Sequence, residues 1–310
     1  MRRLLLLLTI CLASCAKQDP RQAVLGAMPD VHRPAFETQC EVVPWTCLGY
    51  EGVCLRTPRW DICTTIMIPS LHQRLPEAME ASLEHMRRTL DGNGLELPEP
   101  SRPMTTCLMS DRRQWSNVAK MLHPAHAEAM QGLTRGGFAA DGVAILYDID
   151  QRDHCRDTIA LAMHEGWHQY VQLALPGTLP GWLDEGVATL MEGYRLQVDG
   201  IDIDHAANRQ RARRAWWLLR RDRLPPLQEF IDDDPHDAMD RGRSALLNYY
   251  AHAWAFMRFM LVDDARRAII QECLIEAVNG RHGEIEFDVA ALEPEFHAWV
   301  DETLRPSWWR

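Results

Sequence analysis

"HEGWHQYVQLALPGTLPGWLDEGVA", residues 164–188, opens with His-Glu-x-x-His and closes on a second apolar run that carries a carboxylate. Histidines four residues apart lie on one face of an α-helix, so His164 and His168 can reach a single ion. Glu165 then projects about 100° away, where its carboxylate can hold a water molecule beside that ion. An amphipathic helix that carries two histidines without a chemical role also fits, so the surrounding sequence has to decide.

Glu185 is the candidate third ligand, seventeen residues after His168. Asp157 suits the N-cap of the motif helix, and the pair Pro176-Gly177 suits its end. At about 1.5 Å per residue, the chain travels roughly 10 Å from His168 to that end and returns roughly 8 Å along a second helix that starts near Pro180. An antiparallel helix pair therefore brings Glu185 back to the level of His168.

The two halves of this stretch, "HEGWH" and "GWLDEGVA", together resemble the gluzincins, zinc peptidases whose third ligand is a glutamate, and especially the aminopeptidase N group. The chain also resembles bacterial peptidase-MA-like proteins, many of which are lipoproteins. Its resemblance to thermolysin is more distant. The resemblance extends weakly over residues 64–304. It implies that His164, His168 and Glu185 bind one zinc ion and that Glu165 is the general base.

A further likeness to the aminopeptidase N group lies at "YAHAWA", which begins sixty-five residues after Glu185. The resemblance makes Tyr250 the donor that stabilises the oxyanion, with the adjacent Tyr249 as the alternative. The chain has no Gly-x-Met-Glu-Asn segment, which recognises the free amino terminus of the substrate in that group. The resemblance therefore does not extend to exopeptidase activity.

The function implied is that of a zinc-dependent hydrolase, a cell-envelope metallopeptidase that cleaves peptide bonds with a zinc-activated water. Two alternatives stay open. One is a catalytically inactive zinc-binding envelope lipoprotein, acting as a scaffold or binding module. The other is a zinc hydrolase that cleaves esters or cell-wall amides.

Two features near the motif bear on substrate and ligand geometry. "GVAILYDID", residues 142–150, is predicted to be an edge strand along which an extended peptide substrate pairs. Glu192 follows Glu185 by seven residues on the same helical face and is a candidate to orient a ligand histidine. A role as a surface carboxylate is the alternative for Glu192.

The amino terminus, "MRRLLLLLTICLASC", combines a basic pair with an apolar run too short to span a bilayer. We expect residues 1–14 to be a signal peptide. "LASC" resembles the lipobox of bacterial lipoproteins, which implies lipidation at Cys15 and a tether over residues 15–39. This predicts a lipid anchor in the cell envelope. Alanine at position 16, directly after the cysteine, resembles lipoproteins that are retained in the outer membrane of Gram-negative bacteria. An ordinary secretory signal with an incidental Cys15 is the alternative.

Residues 40–63 form a cysteine-rich segment with spacings of seven, seven and nine and no Cys-x-x-Cys pair. In an exported protein this pattern favours disulfides over a metal cluster, with a connectivity that the sequence does not define. The chain carries a formal net charge of −11, which argues against nucleic-acid binding.

The remaining patterns predict an α+β protein, with strands first and helices after. Residues 64–150 read as a strand and helix lead-in, with strands at "TTIMIPS", "MTTCLMS" and "GVAILYDID". The motif helices occupy 157–193, and a helical part occupies 205–304. Within that part, "RQRARRAWWLLRRDR" predicts a helix whose basic face is solvated, and the acidic loop "IDDDPHDAMD" can neutralise its arginines.

Overall fold

A mixed β-sheet occupies the first half of the protein, and helices fill almost all of the second half. The computed structural model describes residues 39–124, 136–150, 155–197 and 200–306. The α+β class predicted from the sequence is confirmed.

The predicted leader at residues 1–14, the lipidation site Cys15 and the tether as far as residue 38 lie outside the described residues. Within the described ranges, no helix combines the length and apolar character that a bilayer span requires.

Within the described residues, six strands form the main sheet in the order β1-β2-β3-β4-β6-β5. The strands are β1 (Glu41–Cys47), β2 (Tyr50–Arg56), β3 (Trp60–Thr64), β4 (Met104–Met109), β5 (Gly137–Ala140) and β6 (Val143–Tyr147). β1, β2 and β3 are antiparallel neighbours, β4 lies parallel to both β3 and β6, and β5 is antiparallel to β6. A separate hairpin joins β7 (Tyr194–Leu196) to β8 (Ile201–Ile203).

The cysteine-rich segment forms the first three strands of this sheet. Cys54 on β2 and Cys63 on β3 are direct cross-strand partners, and their Sγ atoms lie 2.6 Å apart. Cys63 in turn lies opposite Cys107 on β4. The boundary that the sequence suggests at Thr64 therefore falls on the last residue of a strand, and the two adjoining segments share one sheet.

The helices pack on the sheet and then on one another. They are α1 (Pro69–Leu90), α2 (Arg112–Leu122), α3 (Arg156–Ala174), α4 (Gly181–Met191), α5 (Arg209–Arg220), α6 (Leu227–Asp232), α7 (Pro235–Asp240), α8 (Arg243–Leu261), α9 (Asp264–Val278) and α10 (Val289–Thr303). α3 packs on the sheet, α4 packs on α3 and on α8, and α5 packs on α8. One hydrophobic core runs through these layers and includes the buried side chains of Trp60, Trp167 and Trp254.

A buried glutamine fixes α3 to the sheet. Gln169 donates hydrogen bonds from Nε2 to the carbonyl oxygens of Thr105 and Gly142, at 2.7 and 3.0 Å. Its Oε1 accepts one from the Thr106 hydroxyl at 3.0 Å. Because buried polar groups must be paired, these bonds define the height of α3 on the sheet, and hence the height of the histidines on the same helix.

Two details of the motif region differ from the sequence predictions. The segment "GVAILYDID" supplies β6, which is an interior strand between β4 and β5, so the predicted edge strand is wrong and β5 takes the edge. Asp157 is not the N-cap of α3, because Cys155 in a left-handed conformation begins the helix and Asp157 lies in the first turn. There the backbone N–H of Asp157 donates to Asp150 Oδ2 at 3.2 Å.

Two further predictions are corrected elsewhere. The strand expected over "TTIMIPS" ends at Thr64, and α1 begins at Pro69, where proline suits the first helical turn. The acidic stretch predicted as a loop contributes α7, whose N-cap Asp234 accepts a hydrogen bond from the backbone N–H of His236 at 2.7 Å.

Candidate metal centre

Three side-chain atoms from α3 and α4 converge on one point. The Nε2 atoms of His164 and His168 are 3.3 Å apart. Oε2 of Glu185 lies 3.3 Å from Nε2 of His164 and 3.6 Å from Nε2 of His168. The three residues are buried or nearly so, and together they are able to hold a metal ion.

The triangle of ligand atoms has the size that a tetrahedral ion requires. Ligands about 2.0–2.1 Å from a tetrahedral ion are separated from each other by about 3.3–3.4 Å. Oε2 of Glu185 is also buried and accepts no hydrogen bond of good geometry from the described residues. An acceptor without a donor, aimed at two imidazole nitrogens, is the arrangement that a shared cation satisfies.

The turn between α3 and α4 returns Glu185 to the histidines. The backbone N–H of Gly177 donates to the carbonyl of Ala277 at 2.9 Å, and that of Thr178 donates to the carbonyl of Arg281 at 3.2 Å. A Cβ atom on Gly177 would lie 2.1 Å from the Arg281 carbonyl oxygen. Glycine is therefore required where this turn presses against the end of α9, and the contact determines where α4 begins.

Each histidine has a carboxylate on its other nitrogen. Nδ1 of His164 donates to Glu192 Oε1 at 3.1 Å, and Nδ1 of His168 donates to Asp184 Oδ2 at 3.1 Å. These bonds place a proton on each Nδ1, so the Nε2 atoms, which face the shared point, are the ones that can give their lone pairs to an ion there. Glu192 thus makes the histidine contact considered from the sequence. Asp184, which directly precedes Glu185, makes the equivalent contact to His168, and no pattern in the sequence predicts it.

Burial and charge shape the titration of the cluster. Burial favours the neutral form of His164, but the neighbouring carboxylates of Glu185 and Glu192 outweigh it and raise the pKa of His164 to about 9. Burial raises the pKa of Glu192, and the opposing charge of Arg211 and the bond to His164 bring it down to about 2. Burial disfavours ionisation of Glu185, yet the two imidazoles keep the pKa of that carboxyl well below its usual range. The carboxylates are therefore ionised and available to a cation.

Glu165 lies buried next to the cluster, on the same helix as the histidines. Burial raises the pKa of its carboxyl, an effect that the charges of His164 and His168 oppose. A carboxylate whose proton affinity has been increased by burial is suited to accept a proton from water.

The two tyrosines of α8 face different surroundings. The ring of Tyr250 meets the ring of His164 edge to face at 5.6 Å between centroids. Burial, together with the negative charges of Glu185 and Glu165, raises the pKa of Tyr250. Tyr249 instead packs on Phe230 at 5.2 Å between ring centroids, and its hydroxyl is buried without a hydrogen-bond partner among the described residues. Tyr250 is thus the tyrosine in ring contact with His164.

Arg211 on α5 also reaches the centre, which the sequence did not reveal. It donates to both oxygens of Glu192, from Nη2 to Oε1 at 2.6 Å and from Nε to Oε2 at 3.1 Å. The prediction that the basic face of this helix is solvated is wrong for this residue, whose side chain is only 15% exposed. Its partner is Glu192, at the C-terminal end of α4. Because the two residues come together only in the folded protein, no local sequence pattern predicts that Arg211 is buried.

Comparison with known proteins does not extend this picture, because no protein-family model matches the chain and no curated protein is significantly similar to it.

Proposed function

We propose that this chain is a zinc-dependent hydrolase, a metallopeptidase that cleaves peptide bonds at the cell envelope. The observation that carries the proposal is the triangle of His164, His168 and Glu185, whose ligand atoms are 3.3 to 3.6 Å apart with both Nδ1 atoms bonded to carboxylates. Three protein ligands that include a glutamate leave a fourth position for water and substrate, as catalytic zinc sites do.

The residues around the triangle supply the remaining chemistry. Zinc bound at these ligands would act as a Lewis acid that polarises the scissile carbonyl and activates water. Glu165 accepts a proton from the attacking water and later delivers it to the leaving amine. The hydroxyl of Tyr250 donates a hydrogen bond to the developing oxyanion. Asp184 and Glu192 hold the imidazoles in the orientation that binding requires.

The edge strand β5 is the candidate platform for an extended peptide. Its partner is β6, and its other side is unpaired among the described residues. α3 packs against it, and Gln172 Nε2, one helical turn after His168, donates to the carbonyl of Ala139 at 3.1 Å. A peptide added to this edge would therefore run alongside the helix that carries the histidines.

The envelope location belongs to the same proposal and depends on the leader and Cys15. An exported chain would also allow Cys54 and Cys63 to form a disulfide. Both thiols would lose their protons, and the two electrons would reduce a disulfide of a thiol oxidant. The separation of 2.6 Å between their Sγ atoms makes this the favoured pair.

Metal content and peptide-library cleavage, measured on the full chain in detergent, test the function. We expect Glu165→Gln to keep one zinc ion and to lose peptide hydrolysis by at least about 100-fold, because a general base typically contributes 10²–10⁴-fold. We expect His168→Ala to lose both.

The other outcomes separate the competing functions. Full peptidase activity in Glu165→Gln would contradict the assigned base. Stoichiometric zinc with no cleavage of any peptide in the wild type would favour the inactive scaffold. Cleavage of esters or cell-wall amides but not of peptides would favour the non-peptidase hydrolase.

A further inference from the structure

Arg211 is the side chain that joins the outer partners of the centre. Its Nε and Nη2 atoms grip both oxygens of Glu192, at 3.1 and 2.6 Å. Its Cζ atom lies 5.0 Å from the centroid of the Tyr250 ring, in a cation–π geometry. One guanidinium thus contacts the carboxylate on His164 and the candidate oxyanion donor at the same time.

Each oxygen of the Glu192 carboxylate accepts two hydrogen bonds. Oε1 accepts from Nδ1 of His164 at 3.1 Å as well as from Arg211. Oε2 accepts from Nδ2 of Asn208 at 2.7 Å as well as from Arg211. The planar fork of an arginine fits both oxygens of a carboxylate, so its two bonds determine the rotation of the carboxylate as well as its position.

The same arginine also contacts the tyrosine. Tyr250 has the guanidinium over its ring, and its ring meets the His164 imidazole in a T-shaped contact at 5.6 Å between ring centroids. These side chains come from four different parts of the chain: α3, the end of α4, α5 and α8. Arg211 is therefore placed to hold the His164 and Tyr250 side chains in a constant position relative to each other, although their helices are distant in sequence.

We propose that Arg211 is a positioning residue of the metal centre, which orients His164 through Glu192 and holds Tyr250 beside it. The inference rests on the zinc-hydrolase function proposed above. An ion pair that served stability alone would leave the metal affinity and the ligand field unchanged when it is removed. A positioning residue changes both, because a ligand histidine without its outer partner loses orientation and basicity.

Three variants of the full chain separate these roles. Arg211→Met removes the guanidinium, and Arg211→Lys keeps the charge but not the fork. Arg214→Met is the matched control, because Arg214 lies on the same helix and bonds to Asn248 and Ser244 instead of Glu192. Each variant is titrated with Zn²⁺ against a chromophoric chelator, and its Co²⁺ form is examined by visible absorption.

We expect Arg211→Met to bind Zn²⁺ about 10- to 100-fold more weakly than the wild type, with an altered Co²⁺ spectrum. Arg211→Lys should show a smaller loss, and Arg214→Met should match the wild type in both measurements. Wild-type affinity and an unchanged spectrum in Arg211→Met would overturn the inference. If that variant does not fold, wild-type values in Arg211→Lys would overturn it equally. A wild-type chain that binds no Zn²⁺ would instead refute the function on which the inference rests.

Discussion

At the scale of single residues, the geometry of the candidate centre depends on the side chains that hydrogen-bond to the two histidines and to Glu192. His164 and His168 were recognisable from their spacing, and Glu185 from the length of the returning helix. Asp184 and Arg211 were not, since a carboxylate or a guanidinium has no sequence pattern that names its partner. Their roles depend on distances of 3.1 Å and 2.6 Å that only packing creates.

His252, a buried histidine outside the candidate metal centre, predicts how stability responds to acid. His252 stacks between Phe230 and Phe296, at 4.0 and 5.5 Å between ring centroids. Neither of its ring nitrogens has a hydrogen-bond partner among the described residues. Burial, assisted by the charge of His297, lowers the pKa of His252 to about 3.

Because the folded state resists protonation of His252, the unfolded state binds the proton first as the pH falls below about 6.5. Stability should therefore be lost from that pH downward, until the folded pKa of about 3 is reached. At pH 5 this one group should cost about 2 kcal/mol. We expect His252→Leu to show a smaller fall in the free energy of unfolding between pH 7 and pH 5, measured with denaturant on the metal-free chain.

The exposed His236 provides the control for this measurement, since its side chain is 83% accessible. His236→Leu should reproduce the wild-type pH dependence. An identical fall in the His252→Leu and wild-type chains would contradict the assignment of acid sensitivity to His252.

At the scale of elements, the helical hairpin α3–α4 positions the third ligand, and its turn can be tested independently. Gly177→Ala would place a Cβ 2.1 Å from the carbonyl oxygen of Arg281 and 2.7 Å from that of Ala277. Backbone atoms cannot rotate away, so the turn has to move, at a cost of about 1–3 kcal/mol. We expect lower thermal stability and weaker Zn²⁺ binding, because Glu185 moves with the turn.

Gly166→Ala is the matched control within the motif helix. Its Cβ would approach Met79 and Trp60 no closer than 3.5 Å, which is ordinary contact, and alanine favours a helix. This variant should be as stable as the wild type or more so. Wild-type stability and Zn²⁺ affinity in Gly177→Ala would show that the turn does not determine the position of Glu185.

Some helices and strands were predictable from the periodic spacing of apolar residues alone. The two motif helices and the strands β4 and β6 follow the apolar spacing of their sequences, and the structure has them. The position of β6 inside the sheet was not predictable from its own residues. An interior strand and an edge strand can have the same apolar run, and only the pairing of β5 with β6 distinguishes them.

At the scale of the whole molecule, the candidate metal centre lies where the sheet-packed half meets the helical half. His164 and His168 belong to α3 on the sheet, and Glu185 belongs to α4, which packs on α8. An ion that binds only the assembled site should stabilise the entire fold. At free zinc about 100-fold above its dissociation constant, the gain should be about 2.7 kcal/mol.

Thermal unfolding of the full chain with added Zn²⁺ and with chelator measures this gain. His168→Ala, which lacks one ligand, should show little or no difference between the two conditions. A wild-type melting temperature that is insensitive to both Zn²⁺ and chelator would contradict a metal site formed across the two halves.

The sequence by itself determined the α+β class, the helical hairpin and the identity of its three candidate ligands. Helix periodicity and residue spacing are local quantities, which a linear chain carries without reference to its fold. The tertiary structure decided which tyrosine contacts His164, which carboxylate holds each imidazole, and that Arg211 is buried against Glu192. These contacts join residues 16 to 86 positions apart, and their energies exist only when separate helices are packed together.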